Sequence, residues 1–100
     1  MSYADGIRIQ EQRKRLLTSL NLFYPTPVRV ETVWRTVCDD PSYERVLYEK
    51  DIHYFVQKGW IELRPDPLKV ARTINDRLVI LTARGKEIAE RTMTDEALGD

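Results

Sequence analysis

Gln57-Lys58-Gly59-Trp60-Ile61-Glu62-Leu63, "QKGWIEL", is where the chain changes period. Before it, Tyr48, Ile52, Phe55 and Val56 recur at the i, i+4, i+7, i+8 spacing of one helix face. After it, Trp60-Ile61-Glu62-Leu63 is short, apolar and suited to a strand. A single glycine separates the two patterns. Glycine enters the left-handed backbone region without a Cβ penalty, so Gly59 is expected to close the helix and turn the chain into a strand over 60–64.

The helix that ends there is expected over 41–58. Asp39-Asp40-Pro41-Ser42 reads as its start, with Asp40 as N-cap and Pro41 at the first helical position, where a missing N–H costs nothing. A second helix over 31–38 should bury Val33, Trp34 and Val37, after a brief extended Val28-Arg29-Val30. Tyr24-Pro25-Thr26-Pro27 stops a first helix over about 6–21, because neither proline continues the hydrogen-bond ladder. Asp5 is its candidate N-cap, and Ile9, Leu16, Leu17, Leu20 and Phe23 form its apolar stripe. On the other side, Pro65-Asp66-Pro67 ends the strand. A second strand is expected over 77–82, entered through the turn signal Asn75-Asp76. Leu68 to Ile74 reads either as a long loop or as a third strand. Thr82 suits the N-cap of a last helix with Ile88 and Ala89 inward, and 94–100 should fray.

One hundred residues, 42% hydrophobic and 32% charged, fit one small globular domain and not a disordered chain. Sixteen basic against sixteen acidic residues give a formal net charge of zero, without the global excess of positive charge that marks many nucleic-acid binders. Charge is nonetheless uneven: +2 over 1–21, −3 over 39–51 and +2 over 58–77. Cys38 is the single cysteine, so no internal disulfide forms, and no Cys/His set has metal-ligand spacing. Neither a membrane-spanning stretch nor a signal peptide is evident, which points to a cytoplasmic protein.

The element order is helix, extended segment, helix, turn, helix, strand, connection, strand, helix. It resembles a winged helix-turn-helix domain over about 6–92. Phe55-Val56-Gln57-Lys58-Gly59-Trp60-Ile61 is similar to the junction that ends the recognition helix in many bacterial regulators. Leu81-Thr82-Ala83-Arg84-Gly85-Lys86-Glu87 is similar to the "LTxxGxE" segment that leaves their wing. The plan and the LTARG ending also resemble small winged-helix proteins of Mu-like transposable phages, of the type labelled ArsR. The resemblance implies an α+β single domain over 1–100, with a three-helix core, a β-hairpin wing and a C-terminal helix. In that mode the third helix enters the major groove of DNA and the wing approaches phosphates or the minor groove.

Under that reading, the exposed face of the third helix carries Tyr43, Val46, Leu47, Lys50, His53, Tyr54 and Gln57. The DNA-reading set is Tyr43, Lys50, His53, Tyr54 and Gln57, and the wing set is Lys69, Arg72 and Arg77, placed to meet backbone phosphates. Val46 and Leu47 cannot hydrogen-bond a base, and with Glu44 and Glu49 beside them they argue for 43–47 packing on another element instead. His53 has no Asp, Ser or Cys partner at motif spacing, so catalysis by it is not expected. Arg13-Lys14-Arg15 reads as a solvated helix face, Trp34 and Trp60 as core, and Cys38 as a small buried hydrophobe.

The expected function is therefore a sequence-specific DNA-binding transcriptional regulator, with double-stranded DNA as partner and no catalysis, cofactor or metal. The alternative is a winged-helix protein–protein adaptor without DNA affinity, which the neutral charge and the acidic segment favour. A homodimer through the first and last helices is expected, since their apolar residues exceed what one small core needs.

Overall fold

The protein is described by a computed structural model covering residues 3–70 and 72–94, with side chains at 6, 8–70 and 72–91. The described residues form α1 (Tyr3–Phe23), β1 (Val28–Arg29), α2 (Val30–Val37), α3 (Arg45–Gln57), β2 (Ile61–Arg64), a 3-10 turn (Ile74–Asp76), β3 (Leu78–Leu81) and α4 (Ala83–Thr94). The architecture is α+β. The sheet is antiparallel in the order β1-β3-β2, with Val28 opposite Val79 and Ile61 opposite Leu81.

One core joins all elements. Leu16, Leu17 and Leu20 of α1 meet Val30, Val33 and Val37 of α2 and Tyr48, Ile52 and Phe55 of α3. Ile61, Val79 and Leu81 of the sheet and Ala89 of α4 close it. The Tyr48 hydroxyl donates to the Val30 carbonyl, so the one polar tip of this ring is satisfied inside the core. Burial also pushes that hydroxyl's pKa far above its ordinary value.

The helix-to-strand junction is a double closure. Gly59 has φ 74°. Its N–H donates to the Val56 carbonyl and the Trp60 N–H to that of Phe55, both at 3.0 Å, which is the paired bonding of a Schellman cap. The Trp60 ring packs on Phe55 with centroids 5.4 Å apart, the apolar contact that accompanies this cap. Next, the carbonyls of Gly59 and Trp60 are both claimed by Thr82, through its hydroxyl at 2.6 Å and its N–H at 2.9 Å. The same hydroxyl accepts from the Gly85 N–H at 3.0 Å and caps α4, as expected. The QKGW and LTARG segments thus form a single lock between the end of α3 and the start of α4.

Gly59→Val forces a β-branched residue to positive φ, and should destabilise the fold by about 1 kcal/mol or more although a Cβ there meets open space. Denaturant unfolding of the two proteins checks this, and equal midpoints would contradict it.

Several expectations are corrected. α3 begins at Arg45, not near 41, because the Asp40 carboxylate accepts from the N–H and hydroxyl of Ser42 in a local turn and never reaches α3. α1 starts at Tyr3, so Asp5 lies inside the helix rather than capping it. The third strand is β1, while 68–69 and 72–73 form turns and bends. Val56 is 39% exposed, Trp34 and Trp60 are only half-buried against the core, and Cys38 is exposed. The expectation for the chain end falls, from 95 onward, outside the described residues.

Candidate nucleic-acid interface

At about 3.6 residues per turn, α3 buries Tyr48, Asp51, Ile52 and Phe55 and presents Val46, Lys50, His53 and Gln57 along the opposite side. A buried polar cluster sets its angle against α1. Asp51 accepts from Arg13 Nε at 3.0 Å and from the Tyr43 hydroxyl at 2.7 Å. The Arg13 guanidinium lies over the Tyr54 ring at 4.0 Å, a cation–π contact. Beside it, Gln12 reaches Asp40 and Ser42 in the turn ahead of α3.

This cluster removes two residues from the expected reading face. Tyr43 lies in the turn before α3, 3% exposed, and burial with the Asp51 charge raises its hydroxyl pKa far above the ordinary tyrosine value. Tyr54 is half-buried between Arg13 and Trp60. Of the segment 43–47, expected to pack on another element, Tyr43 is buried and Leu47 packs against the core, whereas Glu44 and Val46 are exposed. Lys50, His53 and Gln57 are exposed.

The connection between β2 and β3 is pinned at both ends. At its start, the Asp66 carboxylate accepts from the Leu68 N–H at 2.9 Å and from Arg29 at 2.8 Å, which anchors the connection to β1. At its end, Thr73 and Asp76 make a reciprocal capping box around the 3-10 turn. Backbone donors hold the carboxyls of both aspartates below the ordinary 3.8, Leu68 first for Asp66 and Arg72 first for Asp76. A folded pKa below the unfolded one stabilises above the unfolded value, so these turns hold at neutral pH and are released only as pH falls below 3.8.

Asn75 Nδ2 donates to Glu49 at 2.8 Å and ties the connection to α3. Between them runs a groove of about 470 Å³ lined by Glu49, His53, Leu63, Arg72, Thr73, Ile74 and Arg77. The structure therefore brings His53, Arg72 and Arg77 together across one groove. Lys69 stands apart, exposed on the turn after β2.

The acidic segment 39–51 looks different once folded. Asp39 pairs with Arg15 at 2.6 Å, which draws its carboxyl below the ordinary range. Asp51 is buried on Arg13, Asp40 is turned toward Ser42 and Gln12, and Glu49 is bonded to Asn75. The basic run on α1, expected to be a solvated face, supplies two of these counter-charges. No spacing rule within one helix reveals such a pairing, because the partners lie 24 and 38 residues apart.

Comparison with protein-family models, curated proteins and solved structures gives no match. Among the described residues no helix is long and apolar enough to cross a membrane. Nor does any group of three or more His, Cys, Asp or Glu among them converge as a metal site requires.

Proposed function

We propose that the chain is a winged-helix DNA-binding protein acting as a sequence-specific transcriptional regulator, with α3 as the reading helix and the β2–β3 connection as the wing. The observation that carries the reading is the groove that sets His53 of α3 against Arg72 and Arg77 of the connection. The acidic segment is offset in part: Arg15 and Arg13 pair with Asp39 and Asp51, Asp40 and Glu49 are bonded to neutral side chains, and Glu44 is exposed. Lys50, His53 and Gln57 on α3, Arg72 and Arg77 along the groove, and Lys69 apart from it stay exposed. A polyanion approaching this side meets Lys50, Arg72 and Arg77 together with the Glu49 carboxylate that lines the same groove. Element order and the pairing of the strand before α2 with the last strand support the same reading, although fold similarity is by itself only an association.

Alanine at Lys69, Arg72 or Arg77 should weaken binding to all duplexes nearly alike and lower the salt slope by about one unit per phosphate contact removed. Alanine at Lys50, His53 or Gln57 should instead change which sequence is preferred, each good base contact being worth about 1–3 kcal/mol. Fluorescence anisotropy across a salt series separates the two behaviours. If neither set affects binding, this face is the wrong one.

The second reading, an adaptor that binds protein, is favoured by one observation: Leu68 and Val70 on the wing are 83% and 84% exposed. It predicts no salt-dependent duplex binding, and loss of a protein partner when either residue is made charged.

A further inference from the structure

Val46 is the one aliphatic residue in the solvent-facing row of α3. It is 51% exposed in the first turn of the helix, followed by Lys50, His53 and Gln57 at i+4, i+7 and i+11. The core does not use it, whereas its neighbour Leu47 turns inward. Its position on the exposed row, one turn from Lys50 and on the helix whose His53 faces Arg72 and Arg77, suits a partner that is anionic overall but presents isolated methyl groups. The carboxylates of Glu44 and Glu49 lie off that row. The major groove of DNA has that chemistry: phosphates flank it, and within it only thymine carries a C5-methyl, a contact that apolar side chains make. Residues in the first turns of a reading helix are those that meet base edges.

We infer that Val46 determines specificity by packing its isopropyl group on the C5-methyl of one thymine in the target duplex, beside the hydrogen-bonding contacts of Lys50 and His53. The inference rests on the DNA-binding reading above and deepens it. The aliphatic that looked out of place on a reading face becomes the part that reads the one base-edge feature with no hydrogen-bonding capacity.

The test begins with duplexes carrying a randomised central segment, selected on the full chain. The tightest is then remade with deoxyuridine replacing one thymine at a time, which deletes only the methyl. One position should lose affinity about four-fold, the worth of a single buried methyl. Val46→Ala should bind the thymine duplex more weakly by a similar factor and no longer distinguish uracil from thymine there. Placing 5-methylcytosine paired with guanine at that position should recover part of the lost affinity relative to cytosine for the native chain, but not for Val46→Ala. Two results overturn the inference while leaving the DNA reading intact: no deoxyuridine-sensitive position, or a sensitive one that Val46→Ala does not change. A folded chain that selects no duplex overturns both. Val46 is exposed, so the alanine variant should keep the native circular dichroism spectrum and melting temperature.

Discussion

Gly85→Ala is expected to destabilise this protein by about 3 kcal/mol or more. A Cβ at position 85 would stand 1.8 Å from the Trp60 carbonyl oxygen and 2.7 Å from its carbon. Both are backbone atoms, so no side-chain rotation relieves the contact. Either the start of α4 moves away or the strand entering at Trp60 does. Each movement breaks the bonds by which Thr82 holds the Gly59 and Trp60 carbonyls. For a chain of 100 residues the loss corresponds to a drop in melting temperature of about 12 °C or more. Calorimetry of the two proteins measures it. A shift no larger than that of Gly59→Val would mean that the close approach does not govern the junction.

Asp51→Ala is the second large effect. The carboxylate serves two donors from different parts of the chain, the Tyr43 hydroxyl and Arg13. Its removal leaves a buried hydroxyl without an acceptor and a guanidinium without its counter-charge. Breaking one side of a buried pair costs about 3–5 kcal/mol. Arg13 is 34% exposed and recovers some hydration, which places the expected loss near the lower end, about 3 kcal/mol. Asp51→Asn keeps an acceptor for Tyr43 and should cost less than Asp51→Ala, and Tyr43→Phe, which leaves the buried Asp51 carboxylate short of one donor while Arg13 still pairs with it, about 1.5 kcal/mol. Urea midpoints in the order native, Tyr43→Phe, Asp51→Asn, Asp51→Ala test the account, and equal loss in the last three would contradict it.

These two sites mark where sequence reading succeeds and where it stops. Gly59 and Thr82 are legible because a cap is local: its donors and acceptors lie within a few residues and demand particular residue types. The need for glycine at 85 is not local. It comes from a carbonyl 25 residues away, which the LTARG pattern registers only as a resemblance. The start of α3 escapes sequence reading for a related reason. Asp40-Pro41 is a good start signal, but Ser42 offers the Asp40 carboxylate a nearer partner, and the helix forms only from Arg45. Helical phase extended back to Tyr43 predicts an exposed ring, but the segment before Arg45 is not helical and the ring is buried.

Of the candidate interface, Lys50, His53 and Gln57 are legible from phase alone, since they oppose the strongly periodic Tyr48, Ile52 and Phe55. The groove that sets His53 against Arg72 and Arg77 is not. It depends on the Glu49–Asn75 bond and on the anchoring of Asp66 to Arg29. The acidic segment misleads in the same way, since its formal charge is plain in sequence and its pairing with Arg13 and Arg15 is not.

The central claim is that the face formed by α3 and the β2–β3 connection binds duplex DNA. Its most direct test is the affinity of the native chain for duplexes, including the DNA flanking its own gene, across a series of salt concentrations. The account predicts that log K falls linearly with log salt, with a slope of about −0.9 for each phosphate neutralised. Absence of duplex binding at low salt, by protein whose circular dichroism shows the fold intact, would contradict it.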